Sequence, residues 1–265
     1  MSAVLATHAL SKRFDGVSAV DGATFSVAEG EAFGILGRNG AGKTTLIKML
    51  TTLLSPTSGS ATVAGCDLVR QPARVRRHIG YVPQGLSMDP DLTARENLEI
   101  MAVLYDLPRR ERPQAIRSML GLVGLEEAAD RLVRTFSGGM VRRLEIGQCM
   151  LHRPQVLFLD EPTVGLDPVA REAIWAHVGE LRRTFSVAIC LTTHYMDEAA
   201  HLCSRFAVLR GGSIVALGSL AELRALAGRP GATLDELFGD FTEAEAESRR
   251  DSHAIATTAG ADRRH

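Results

Sequence analysis

GRNGAGKTT, residues Gly37 to Thr45, fits the spacing G-x-x-x-x-G-K-[ST], with Gly37, Gly42, Lys43 and Thr44 at the fixed positions. AFGILG before it is a continuous apolar run that predicts a buried strand, and TTLIKMLTTLL after it predicts a helix. A glycine-rich turn between strand and helix brings main-chain N–H groups together at the positive end of the helix dipole, which is a device for holding a polyphosphate. Arg38, Asn39, Gly40, Ala41 and Thr45 share that loop with the fixed residues, and all nine positions are candidate nucleotide contacts. The glycines permit φ > 0 and close approach of the backbone. Lys43 is placed to reach the β- and γ-phosphates and the Thr44 hydroxyl to hold Mg²⁺. A nucleoside triphosphate is the ligand this pattern implies.

VLFLDEP, Val156 to Pro162, ends a second apolar run in two acids. Opposite a phosphate loop, Asp160 is a candidate Mg²⁺ ligand and Glu161 a candidate to accept a proton from, or orient, the water that attacks the γ-phosphate. Ser137-Gly138-Gly139 opens a further helical pattern and would present a hydroxyl, free N–H groups and a dipole end. One chain thus carries two phosphate-binding devices.

The surrounding pattern alternates strands and helices. Val4–Leu10 and Thr24–Val27 alternate like strands of an antiparallel sheet. Glu31–Leu36, Ala61–Ala64, Ile79–Val82, Val156–Leu159 and Val187–Leu191 read as strands, and Phe206–Leu209 with Ile214–Ala216 as a hairpin turned at Gly211-Gly212. Lys43–Leu54, Thr93–Tyr105, Pro113–Val123, Gly138–Leu151, Pro168–Arg183 and Met196–Cys203 read as helices. Thr93 with Glu96 forms a capping box. Residues 85–151 carry almost no strand signal and are expected to form an inserted helical lobe. Residues 241–265 become Glu-, Arg-, Ala- and Ser-rich and are expected to be a disordered tail. A parallel sheet around a phosphate loop places ligand contacts at the carboxyl ends of its strands.

Composition narrows the setting. A chain of 265 residues that is 45% hydrophobic can bury a large core, and its formal net charge of −1 gives no reason to expect nucleic acid as a partner. No apolar run approaches the ~18–20 residues of a membrane span, and the N-terminus has no basic region followed by an apolar core, so a cytosolic protein is expected. The four cysteines, Cys66, Cys149, Cys190 and Cys203, have no C-x-x-C spacing and read as buried thiols. Only Lys12, Lys43 and Lys48 are lysines, which sets Lys43 apart in an arginine-rich chain.

TFSGGMVRRLEIG, Thr135 to Gly147, resembles the signature motif of ABC-type ATPases, and the order phosphate loop, VPQ, SGG, LDEP, GLDP and TTH is that family's order. The resemblance runs from about Val4 to Phe238. It implies an α/β fold: a P-loop NTPase of the ABC cassette type, with a mainly parallel core sheet, an N-terminal antiparallel β subdomain and an inserted helical subdomain, over residues 1–240. It implies ATP and Mg²⁺ as cofactors, and a head-to-tail homodimer in which Ser137, Gly138 and Gly139 of one copy cap ATP held by the other. It assigns Phe14 to adenine stacking, Gln84 to sensing Mg²⁺ and the attacking water, Asp167 to the loop crossing the dimer interface, and His194 to the γ-phosphate. Met140 stands where many relatives carry Gln, and Gln148 where Arg is frequent.

SGGMVRRLEI, LTARENL, GLDPVAREAIW, LTTHYMDEA and TLDELF together look most like the ATP-binding subunits of the daunorubicin/doxorubicin-resistance type. That resemblance implies a two-component exporter of drugs, antibiotics or lipid-like molecules. Its implied partner is a separate polytopic permease, with this chain peripheral on the cytoplasmic face of the membrane. Competing readings are an importer ATPase and a soluble ABC ATPase of DNA repair or translation. The long coiled-coil insertion and the tandem cassettes of the soluble types are missing from this sequence.

Overall fold

A computed structural model describes residues 3–85 and 87–243. The chain opens with β1 (Ala3–Phe14) and β2 (Val17–Ala28), joined antiparallel through Asp15-Gly16. Both turn residues have positive φ, 45° and 85°, as a two-residue hairpin turn matching the strand twist requires. β3 (Ala32–Gly37) is buried at every position and runs into α1 (Lys43–Leu50). α1 stops short of the expected Leu54, because Thr52 turns into the left-handed region with φ 62°. β4 (Ser58–Val63) and β5 (Cys66–Asp67) complete a four-stranded antiparallel sheet in the order β2-β1-β4-β5.

After α2 (Pro72–Arg77) and β6 (Ile79–Val82) comes a helical stretch of α3 (Ala94–Leu104), α4 (Arg112–Leu122) and α5 (Gly138–Met150). Thr93 caps α3 in a box with Glu96, each bonding the other's backbone N–H, as that sequence pattern predicts. β7 (Val156–Asp160), α6 (Pro168–Phe185), β8 (Ala188–Thr193), α7 (Met196–Leu202), β9 (Arg205–Arg210), β10 (Ser213–Ser219) and α8 (Leu220–Leu226) follow. Residues 234–243 form a last helix, which continues past the expected start of the tail at 241; the rest of that tail lies outside the described residues.

The second sheet has the order β10-β9-β3-β8-β7-β6, parallel throughout except for the β9–β10 hairpin. Its strands alternate side chains between two cores. On β7, Val156 and Phe158 join α1 and the antiparallel sheet, while Leu157 and Leu159 face α3–α6. Each such side chain contributes about 1.5–3 kcal/mol when fully buried. β3, β8, β7 and β6 are consecutive in the sheet, so the loops after them open at one edge. Those loops carry the phosphate loop, His194, Glu161 and Gln84.

Candidate functional site

These loops enclose a cleft of about 540 Å³ lined by Asn39, Gly40, Ala41, Gly42, Lys43, Thr44, Thr45, Gln84, Glu161 and His194, with Ala19 and Val164 completing its walls. The phosphate loop takes its shape from its glycines. Gly40 and Gly42 have φ 81° and 104°, and a Cβ on Gly42 would lie 2.4 Å from the Ala19 carbonyl oxygen. A Cβ on Gly37 would meet Ala41 Cβ at 2.9 Å. No side chain caps α1, so its first amides remain available to an anion. Gly42→Ala is therefore expected to force the loop away from β2 and to weaken ATP affinity at least ~10-fold, a shift of about 1.4 kcal/mol, in a fluorescent-nucleotide titration.

The Lys43 side chain, 4% exposed, turns back over the loop. Its Nζ donates to the Gly37 carbonyl at 2.8 Å and lies 3.1 Å from Glu161 Oε1. Asp160 is buried at the end of β7, where Oδ1 accepts from Thr192 Oγ1 and, at 3.3 Å, from Thr44 Oγ1. The hydroxyl and carboxylate predicted to share a cation are thus within bonding distance. A hydroxyl, a carboxylate and the Gln84 amide are hard oxygen donors of the kind a Mg²⁺ ion would accept. Among the described residues no group of three or more His, Cys, Asp or Glu forms an all-protein metal site. Burial, together with the charge of Asp160, pushes the Tyr81 hydroxyl up to about 12, so it stays protonated beside these acids.

Glu161 stands in the left-handed region with φ 48°. For a non-glycine residue this costs on the order of 1–3 kcal/mol and persists only where neighbours fix it. Its N–H donates to the Thr192 carbonyl at 3.0 Å and to Thr192 Oγ1 at 3.1 Å. On the other side, Arg142 Nη2 donates to the Glu161 carbonyl at 3.3 Å and Arg142 Nε to the Pro162 carbonyl at 2.7 Å. Held this way, the carboxylate places Oε1 at Lys43 and Oε2 at 3.2 Å from His194 Nδ1, an approach that lacks hydrogen-bond alignment. The loops after β7 and β8 are also tied further out: buried Glu198 accepts from Thr163 at 2.8 Å and from Trp175 at 3.2 Å, and burial raises its pKa.

The remaining predicted residues lie outside this cleft. Phe14 ends β1, 46% exposed, with the Lys12 ammonium 5.1 Å from its ring centroid. Ser137 caps α5 by accepting from the Met140 N–H at 3.3 Å, with Gly138 and Gly139 as the first residues of that helix. Asp167 caps α6, accepting from the Ala170 N–H at 2.9 Å. The Arg38 side chain is largely exposed, 3.6 Å from Glu243. Ala19, Val164, Thr192 and Arg142 are contributors that sequence reasoning missed. Thr192 stands in the TTH run, where a hydroxyl at the end of a buried strand was a usable signal. Ala19 comes from the other sheet and had none.

A phosphate loop facing a carboxylate pair, with a lysine buried between them, defines a nucleoside-triphosphatase, and the particular order of its loops narrows the class. The chain belongs to the ABC transporter family: the sequence profile of that description matches residues 20–164. It is 43% identical over 222 residues to the daunorubicin/doxorubicin resistance ATP-binding protein DrrA of Streptomyces peucetius, covering 84% of this chain and 67% of that protein. It is 39% identical over 237 residues to the Nod factor export ATP-binding protein I of Ralstonia nicotianae, covering 89% and 73%. A solved ATP-binding subunit of an ABC transporter superposes with TM-score 0.81 at 32% identity, covering 90% of this chain and 99% of that one. The protein is an ATPase of this family, and among its described residues no helix is long and apolar enough to cross a membrane.

Proposed function

We propose that this chain is the ATP-hydrolysing subunit of a two-component exporter that moves drugs, antibiotics or lipid-like molecules through a separate polytopic permease. The observation that carries the mechanism is the convergence of Lys43, Thr44, Asp160, Glu161, Gln84 and His194 on one edge of the parallel sheet, with Ser137 and Gly138 exposed at a separate helix start. In this reading the loop amides and Lys43 hold the phosphates, and Phe14 stacks on adenine. Thr44, Asp160 and Gln84 would hold Mg²⁺, whose charge would offset that of the phosphoryl oxygens. Glu161 takes the proton of the attacking water while Gln84 and His194 orient water and γ-phosphate. Two copies pack head to tail, each lending its Ser137 helix start and its Asp167 loop to the partner's nucleotide. Residues 1–240 serve as the ATPase domain, with 85–151 as its helical subdomain on the cytoplasmic face of the membrane. The names of both relatives, one for drug resistance and one for export, support the direction of transport.

The test is whether a neighbouring gene encodes a polytopic membrane protein, followed by co-expression of this chain with that product. The two are expected to co-purify, and the permease in liposomes to raise ATP turnover several-fold. Failure to associate, with turnover unaffected by the permease, would remove the transport reading and leave an ATPase of another role.

A further inference from the structure

We propose that Arg142 and Glu145 are a positioning pair that holds Glu161 in register with the loop carrying Gln84. This deepens the reading of Glu161 as the base and rests on it. Both side chains are buried and meet at 3.0 Å, one helical turn apart on α5. Their other bonds do not go to the core. Arg142 Nη1 donates to the Pro83 carbonyl at 2.7 Å, just before Gln84. Glu145 Oε1 accepts from the Ser87 N–H at 2.6 Å and from Ser87 Oγ at 2.9 Å, just after it. The pair therefore grips the Gln84 loop at both ends.

The opposite edge of the same guanidinium grips the base. Its Nη2 and Nε hold the carbonyls of Glu161 and Pro162. Thr192 already fixes the N–H of Glu161. A left-handed residue relaxes toward negative φ unless the peptide groups on both of its sides are held. Arg142 supplies the second side. Relaxation would swing the carboxylate off Lys43 and His194. Because the guanidinium is a rigid planar fork, a displacement of the Pro83 carbonyl reaches the Glu161 carbonyl across one side chain. Lysine, a point donor on a flexible stem, cannot span these acceptors together. The two residues touch no reacting atom. They act on rate through Glu161, and neither contributes to phosphate binding.

The experiment measures ATP turnover, nucleotide affinity and thermal melting of the full chain for Arg142→Lys, Glu145→Gln and Ser87→Ala, with Glu161→Gln as reference. Arg142→Lys and Glu145→Gln are expected to lower kcat about 10- to 100-fold, the effect of misplacing a catalytic group by ~1 Å. Affinity for a fluorescent ATP analogue should stay within about threefold, less than the loss of one hydrogen bond. Ser87→Ala, at an exposed residue, is expected to lower kcat about 3- to 10-fold, the factor for one hydrogen bond. In the Glu145→Gln background it should add nothing, because both changes cut the same link. Wild-type kcat in a folded Arg142→Lys or Glu145→Gln chain overturns the proposal, as does equal loss of kcat and affinity. If both buried variants fail to fold, an unchanged kcat in Ser87→Ala overturns it. Full turnover by Glu161→Gln is the separate result that removes the base assignment itself.

Discussion

Replacing Lys43 by alanine is expected to bring ATP turnover down at least ~100-fold, the scale seen when one donor to a developing oxyanion is removed. The argument starts from burial. Lys43 is almost inaccessible, and its ammonium is shared between the Gly37 carbonyl and Glu161 Oε1 at 2.8 and 3.1 Å. No other lysine or arginine is among the residues lining the cleft, so no permanent cation there can take over its charge. The loss also strands a buried carboxylate. Breaking such a pair from one side typically costs about 3–5 kcal/mol, although the cleft lets water reach Glu161 and reduces that figure here. Melting temperature and nucleotide affinity should therefore both fall in the variant. Lys43→Arg should not rescue, because the lysine is enclosed beneath a loop in which Gly42 leaves no room even for a Cβ against Ala19 of β2, and a forked guanidinium is bulkier than an ammonium. ATPase assay and nucleotide titration check both points; a Lys43→Ala chain hydrolysing at the normal rate would discard the phosphate site.

Glu161→Gln is expected to leave ATP binding intact and to reduce hydrolysis about 100- to 10,000-fold, the range general-base catalysis supplies. The amide has the shape of the carboxylate and does not disturb the backbone bonds from Thr192 and Arg142 that hold this residue at φ 48°. What it loses is the ability to take a proton. It also carries no charge, so it no longer repels the γ-phosphate. ATP-bound copies should then accumulate as a head-to-tail dimer. Light scattering with ATP should report twice the monomer mass of 28.5 kDa. A variant that binds ATP yet stays monomeric would count against nucleotide shared between copies.

What could be foreseen from the sequence was what is local. The phosphate loop is one continuous run whose glycine spacing, strand and helix are set within a few residues. Val156–Leu159 and Val187–Leu191 could be read as buried strands because their apolar runs are unbroken. That β3 lies between β8 and β9 depends on contacts about 157 and 172 residues apart, such as Ala32 with Ile189 and Phe33 with Arg205, and left no trace in periodicity. Short elements were missed for a related reason. α2 buries only Val75 and α8 only Leu223, so neither shows an apolar stripe. The signal for α8 was its start: Ser219 and Glu222 form a capping box of the same pattern as Thr93 and Glu96. Arg142 and Glu145 were illegible for the opposite reason. Charged residues three apart on a helix ordinarily face water, but α5 is buried on nearly every side and theirs are aimed at carbonyls and amides of distant loops. Ser137 and Asp167 give a different lesson. Within one chain they do no more than cap helices, and the larger role implied for them requires a second copy.

The apolar cluster behind the helices has a consequence for how they can move. Leu157, Leu159, Ile189 and Leu191 of the sheet belong to one continuous cluster with Leu98, Leu120, Leu144, Ile174 and Val178. Among the described residues the seam between these helices and the strands is mainly apolar, with the buried Arg142–Glu145 pair bridging its edge to the loops after β6 and β7. Excised, they would carry half of an oily seam into water and leave the other half exposed on the remainder. The insertion is thus a wing without autonomy, melting with the body it leans on. Sliding it over the strands would leave the apolar seam covered, but would have to break or carry along the bonds from Arg142 and Glu145 to the loops after β6 and β7.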